Sequence, residues 1–251
     1  MDKMIYVAMA GANSVMRRQD NLTHNLANAS TPGFRAEMLS FQAVTPDKAA
    51  PGANNPAQVF AVEASMGSDF TPGPLQRTGR PLDVAVGGSG WLSVQGRDGR
   101  EAYTRNGALE VDAAGLLTTS TGLPVLGEGG PIQVPPDSEV TIARDGTVSS
   151  VQNGAGLTNV QVLGRLKLVD PPARDIQKGD DGLFRMRNGQ PVPASAEVGL
   201  SIGAIEGSNV NPVEAMVGMI SAARQFEMHM KLLQTAEANS RSAGVLLQSA
   251  G

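Results

Sequence analysis

The chain has 251 residues, and its 41% hydrophobic fraction supports a buried core and argues against a wholly disordered polypeptide. A formal net charge of −4 offers no basic face to nucleic acid, and the lack of cysteine excludes disulfides, thiolate catalysis and Cys-based zinc sites. With 30 glycines, 16 prolines and only 4% aromatics, many tight turns are expected and few large side chains are left to line a deep pocket.

Residues 1 to about 29 read as one long helix. Met1, Ile5, Ala8, Ala12, Val15, Gln19, Leu22 and Leu26 alternate in steps of four and three, the a and d spacing of a heptad, and only Gln19 is polar. Asn13, Arg17, Asp20 and His24 occupy the opposite face. The apolar start is not read as a cleavable signal. Asp2 stands beside a lone Lys3, and the periodicity runs on past Ala8-Met9-Ala10. No apolar run approaches the ~18 residues of a membrane span, so no membrane insertion is expected.

The helix is expected to stop in Asn25-Leu26-Ala27-Asn28-Ala29-Ser30-Thr31-Pro32-Gly33-Phe34-Arg35. Asn28 tolerates the left-handed conformation of a C-terminal cap, and Thr31-Pro32-Gly33-Phe34 suits a turn with Pro second and Gly third. From about Ala43 to Pro74 the sequence is rich in Ala, Pro, Gly and Asn, so residues 36–80 read as an extended connector.

Residues 81–207 read as a central domain of short antiparallel strands. Asp83–Val86 and Trp91–Gln95 flank Gly87-Gly88-Ser89-Gly90. Turns follow at Asp98-Gly99, Asn106-Gly107, Ala114-Gly115, Asp145-Gly146 and Asn188-Gly189 beside short runs rich in Val, Leu, Ile and Thr. Asn-Gly and Asp-Gly supply the positive φ that hairpin turns require.

A second long helix is expected within 208–251. Asn211 suits the N-cap, Pro212 the first helical position and Glu214 the third, close to a capping box. Met216, Met219, Ala223, Phe226, Met230 and Leu233 alternate in steps of three and four, and the phase continues to Leu247. Either stripe alone suits a helix packed in its own domain. Two of them around a β-rich insert favour helices that pair largely with adjoining subunits, because isolated helices of this length are marginal in water. The expected fold is α+β, with long coiled-coil-like terminal helices enclosing an all-β middle.

No chemistry rises from the residues. Gly87-Gly88-Ser89-Gly90 and Gly127-Glu128-Gly129-Gly130 match no dinucleotide or Walker pattern, and Asp180-Asp181-Gly182 lacks the other ligands of a calcium loop. His24 and His229 have no HExxH-like partners and read as helix-surface residues. No GxSxG elbow is present. Catalytic, cofactor and metal sites are all expected to be absent.

The segment Asn25, Leu26, Ala27, Asn28, then Thr31, Pro32, Gly33, Phe34 and Arg35, closely resembles the signature of the flagellar axial proteins of rod and hook. Thr71-Pro72-Gly73-Pro74-Leu75, Arg80-Pro81-Leu82-Asp83-Val84-Ala85-Val86, Gly90-Trp91-Leu92, Tyr103-Thr104-Arg105-Asn106-Gly107 and Glu206-Gly207-Ser208-Asn209-Val210 extend the match over nearly the whole chain. The opening Met1-Asp2…Ile5-Tyr6 and Gly182-Leu183-Phe184-Arg185 look most like a proximal-rod member, with the distal-rod member as the alternative. The resemblance implies a non-enzymatic structural subunit of the periplasmic rod, exported by the flagellar type III apparatus without a cleavable signal. Other rod subunits of the same and related kinds, and neighbouring basal-body proteins, would be its partners. Rival readings from other classes are a secreted β-rich binding module and a hydrolase acting on peptidoglycan.

Overall fold

The computed structural model describes residues 2–44, 60–152 and 160–249. The fold is α+β: helix α1 (Asp2–Ala27) and helix α2 (Pro212–Ser249) stand at the two ends, with short antiparallel strands between them. The chain forms two compact units. The first comprises Met1–Asn28, Glu37–Gly67 and Val210–Gly251, and the second Ala29–Ala36 and Ser68–Asn209.

In the first unit α1 and α2 pack antiparallel. Gly11 of α1 lies against the ring of His229 on α2, and Leu22 lies against Gly218. Ala8, Ala12 and Val15 are buried and Ile5, Leu22 and Leu26 half-buried, so the α1 stripe read from the sequence faces the helix pair. On α2 the packed stripe is offset by one residue from the predicted one. Ala215, Ala222 and Ala236 are buried, Met219, Ala223, Phe226 and Leu233 are half-buried, and Met216 and Met230 are exposed. The side chain of Leu247 lies outside the described residues.

The offset follows from size. Ala215, Ala222, His229 and Ala236 recur every seven residues, and close backbone approach selects small side chains there, whereas a periodicity argument weights the large apolar ones. His229 is thus part of the packed stripe rather than a surface residue. Asn211 caps α2 as expected, its Oδ1 accepting from Val213 N (3.1 Å) and Glu214 N (3.3 Å).

The interval read as an extended connector also holds strands. Glu37–Val44 pairs with Phe60–Ser68, and Leu75–Arg77 follows; residues 45–59 lie outside the described part. The alternation in Glu-Met-Leu-Ser-Phe-Gln-Ala-Val suits a strand, but the Ala, Pro, Gly and Asn that follow mask it.

The second unit is built around a five-stranded antiparallel sheet. Its order is Leu168–Val169, Trp91–Gln95, Glu101–Thr104, Phe184–Met186, Ile176–Lys178. Leu92 and Val94 pair opposite Thr104 and Ala102. Leu92, Val94 and Ala102 feed a large aliphatic core with Leu109, Leu117, Val125, Ile142 and Val148. The alternate residues Trp91, Tyr103 and Phe184 form a second core with Val169 and Ile176, the Trp91 and Phe184 rings lying 4.6 Å apart. Both faces of this sheet are therefore covered, and four of the chain's nine aromatics, Phe70 included, pack on one of them. Each fully buried large side chain contributes about 1.5–3 kcal/mol.

Smaller pieces complete the unit. Ser138–Ile142, Thr147–Gln152 and Val160–Arg165 form a three-stranded sheet, and Val84–Val86 pairs with Leu200–Ile202. Leu75–Arg77 pairs with Ala204–Glu206, and Leu109–Val111 with Leu117–Thr119. Gly99, Gly115, Gly146 and Gly189 take positive φ at turns read from the sequence. Asn106-Gly107 does not. Gly107 instead lies against the carbonyl of Val84 and donates no turn; a Cβ there would come within 3.0 Å of that oxygen. Its need for glycine is closeness, not conformation.

Candidate functional site

The signature segment divides between the two units. In the first, Asn25 is buried and ties the end of α1 to the start of the next strand: Nδ2 donates to Glu37 O (2.9 Å), and Glu37 N donates to Oδ1 (2.8 Å). The side-chain amide thus imitates a strand edge. His24 Nδ1 lies 3.1 Å from Glu37 Oε2.

Asn28 caps the helix differently from expectation. Among the described residues other than glycine, only Asp137 has positive φ, so Asn28 is not left-handed. Its Nδ2 and its backbone N–H both donate to His24 O, at 2.9 and 3.2 Å. The side chain satisfies the last carbonyls, and the left-handed turn falls later, at Gly33.

In the second unit Thr31-Pro32-Gly33-Phe34 forms the predicted turn, with Gly33 at φ 70° and Phe34 N donating to Thr31 O at 3.3 Å. A Cβ on Gly33 would come within 3.0 Å of the backbone of Arg105 and Asn106. The Phe34 ring lies under the Lys178 ammonium, 4.0 Å from it.

Arg35 is the residue whose setting was least legible. Its side chain is 0% exposed, and Nη1 lies 2.6 Å from Oε1 of Glu206, itself 2% exposed. That approach is ionic rather than aligned along an N–H bond; Nε and Nη2 of Arg35 meet no acceptor among the described residues. The other Glu206 oxygen accepts from Arg105 Nη1 at 3.0 Å, and Gly73 N donates to Oε1 at 2.8 Å. Arg105 further donates to Val86 O (3.0 Å) and Gly88 O (2.6 Å) and lies 5.2 Å over the Trp91 ring. Burial pushes its guanidinium below the ordinary value, Glu206 opposes the shift, and Arg35 adds to it.

Asn209 stitches three chain segments beside this triad. Ala36 N donates to its Oδ1 (2.7 Å), and its Nδ2 donates to Asp69 O (2.9 Å) and Thr71 O (3.0 Å). Its own N–H donates to Phe34 O (3.3 Å), and Asp69 N to Ala36 O (2.8 Å). The segments 29–36, 68–74 and 204–209 are thereby fastened together within the second unit. The motifs at 25–35, 71–75 and 206–210, scattered in the sequence, supply most of these groups. One signal for the triad was present: Ala204 and Glu206 share strand parity, and both are buried.

The helices expose a second set of apolar residues. On α2, Val213, Met216, Val217 and Ile220 are 50–68% exposed at spacing i, i+3, i+4, i+7; on α1, Tyr6, Val7, Met9 and Met16 are exposed. Among the described residues no cluster of His, Cys, Asp and Glu could hold a metal, and no helix is long and apolar enough to cross a membrane. A shallow cleft of about 500 Å³ lined by Gly87–Gly90, Asp170 and Glu197–Ser201 presents two carboxylates and no imidazole or thiol.

A family model described as the flagellar basal body rod FlgEFG protein C-terminal region matches residues 202–244, and one described as the flagellar hook protein FlgE/F/G D1 domain matches 85–150. The flagellar basal-body rod protein FlgF of Salmonella typhimurium is 46% identical over 98% of this chain and 99% of its own length. FlgF of Escherichia coli is 44% identical over the same shares, and FlgF of Caulobacter vibrioides 34% over 97% of each chain. The rod protein FlgG of Buchnera aphidicola subsp. Acyrthosiphon pisum is 29% identical over 93% of this chain and 95% of its own. A chain with helical ends around a β-rich middle, this signature and these full-length relatives belongs to the flagellar basal-body rod proteins, is a structural subunit of the rod, and is most like FlgF.

Proposed function

We propose that the chain is a proximal-rod subunit that assembles through its terminal helices, α1 and α2 pairing in a coiled-coil-like α domain whose outer apolar faces lie against neighbouring subunits. The observation that carries this is the exposed stripe Val213, Met216, Val217 and Ile220. Soluble monomers seldom leave such a set contiguous on one helix face. Covering each large side chain contributes about 1.5–3 kcal/mol, so one such stripe offsets much of the cost of association. The seven-residue recurrence of Ala215, Ala222, His229 and Ala236 supports the coiled-coil-like reading of the helix pair.

The contacts are head-to-tail, since repeated heterologous contacts that do not close generate a helical tube. Partners are further copies, other rod subunits and neighbouring basal-body proteins. The chain reaches the periplasmic rod unfolded, through the flagellar type III export apparatus. It works without catalysis or cofactor. The higher identity to FlgF than to FlgG supports the proximal over the distal assignment.

Leu26 and Phe226 from the predicted seams are half-buried, so charging them would perturb the folded chain itself. Val213→Lys/Ile220→Lys is the cleaner test. Helix content of the purified chain stays unchanged, whereas incorporation into isolated basal bodies and motility of a complemented deletion strain are lost. Normal incorporation and swimming would overturn the assignment.

A further inference from the structure

We propose that Arg35, Glu206 and Arg105 form an ordered electrostatic latch. The C-terminal segment Ala204–Asn209 seats on the second unit by itself, and the N-terminal segment Ala29–Ala36 docks stably only once Glu206 is in place, Arg35 acting as the positioning residue that sets the order. The latch is argued from the geometry of this unit alone and does not rest on the assembly reading.

The two segments are anchored unequally. Ala204–Glu206 pairs with Leu75–Arg77 through three residue pairs, and Gly207 N donates to Pro74 O at 2.9 Å. Glu206 already has Arg105 and the Gly73 N–H as partners, so its carboxylate is compensated without Arg35. The N-terminal segment also meets Asp69, whose N–H donates to Ala36 O (2.8 Å), and Lys178 over the Phe34 ring, but most of its directed bonds and its one buried charge are met by 204–209. Gly33 N donates to Glu206 O (2.8 Å), Ala36 N to Asn209 Oδ1 (2.7 Å), and Phe34 O accepts from Asn209 N (3.3 Å). The Arg35 guanidinium enters a closed site where, among the described residues, Glu206 is the one carboxylate within ion-pair distance. With Glu206 absent or uncharged, docking would bury Arg35 beside a second guanidinium with no counterion, a cost far above that of leaving it in water. Removing Arg35 does the reverse: it relieves like-charge repulsion on Arg105 and leaves a balanced pair.

Hydrogen exchange on the full chain reads the two segments separately. In Glu206→Gln, exchange at Gly33 and Ala36 rises about tenfold or more, while Trp91–Gln95 stays protected. In Arg35→Met, the amides of Glu206 and Gly207 keep parental protection. In the double variant Arg35→Met/Glu206→Gln, Gly33 and Ala36 recover protection relative to Glu206→Gln, because docking no longer brings a second uncompensated guanidinium beside Arg105, which keeps its bonds to Val86 O and Gly88 O. A purely structural role for Glu206 would not give that suppression. The latch is overturned if Glu206→Gln leaves Gly33 and Ala36 protected, if Arg35→Met opens 204–209, or if the double variant stays as open as Glu206→Gln. Should Glu206→Gln fail to fold, a folded double variant supports the latch and an unfolded one overturns it.

Discussion

Gly33→Ala separates two reasons for a glycine, and Gly79→Ala is its control. Both glycines have nearly the same φ, 70° and 73°. An added Cβ at Gly79 meets nothing within 4 Å, whereas at Gly33 it falls within 3.0 Å of the backbone of Arg105 and Asn106. The left-handed conformation alone costs an alanine about 1–2 kcal/mol, and that is the expected loss at Gly79. At Gly33 the neighbouring backbone cannot yield, because Arg105 is pinned by two carbonyls and Glu206. The turn must move instead. It then forfeits the Gly33 N–H bond to Glu206 O, worth about 1 kcal/mol net, and draws Arg35 from its carboxylate, where a broken buried pair costs about 3–5 kcal/mol. Gly33→Ala should therefore lose at least ~3 kcal/mol more than Gly79→Ala. Urea unfolding followed by the single tryptophan, Trp91, reports on this unit directly, since that ring is buried in its core. A difference below about 1 kcal/mol between the two variants would show that closeness at Gly33 is relieved cheaply and refute the reasoning.

Asn209→Ala removes four side-chain hydrogen bonds, one of them long, and should cost about 2–3 kcal/mol in the same assay; a loss under ~0.5 kcal/mol would mean that the stitch is dispensable. Burial pushes the Tyr103 phenol up to about 12 from 10.0, so its contribution to stability is complete below pH 10 and is lost as pH rises through 12. Tyrosinate absorbance in a Tyr6→Phe background should titrate near that raised value, and Tyr103→Phe should flatten the alkaline loss of stability; an ordinary midpoint would contradict the burial. Gly11→Ala meets His229, whose Cε1 would lie 2.5 Å from the new Cβ. In a His229→Ala background it should instead stabilise the helix pair by about 0.5–1 kcal/mol through helix propensity, and equal effects in both backgrounds in thermal melts by circular dichroism would remove the contact.

What could be read beforehand was what neighbours in sequence decide. The two helices, the Asn211 cap and the Thr31–Phe34 turn follow from residues within a few positions of one another, and all stand where expected. The α1 stripe was equally legible because its apolar residues and its packed residues coincide. On α2 they differ by one position, since packing there selects Ala215, Ala222 and Ala236 for smallness while hydrophobicity points to Met216 and Met230. Asn106-Gly107 misleads in a similar way: a turn dipeptide serves a close approach to Val84 that only the fold creates. Arg35 and Glu206 mark the limit. Each is an ordinary charge in its own segment, and only the docking of one end of the chain beside the other turns them into a buried pair.

Two kinds of contact are kept apart by this division of residues. Within the second unit the segments are joined by groups with fixed direction, namely an amide that gives and accepts, a carboxylate between two guanidiniums, and a glycine that admits no side chain. Such contacts tolerate one arrangement and penalise the rest by leaving polar groups buried and unmet. On α2 the fully buried side chains are the small Ala215, Ala222 and Ala236, with Met219, Phe226 and Leu233 half-buried beside them, while Val213, Met216, Val217 and Ile220 stay exposed. Had Met216, Val217 and Ile220 filled the intrachain seam, the pair would gain stability and its outer face would have little left to bury. With Ala215, Ala222 and Ala236 in that seam, the large side chains Met216, Val217 and Ile220 are left uncovered on the outer face of α2. On the assembly proposed above, covering that face against a neighbour is what the subunit would gain by joining the rod, and the polar stitching holds the β unit to one geometry.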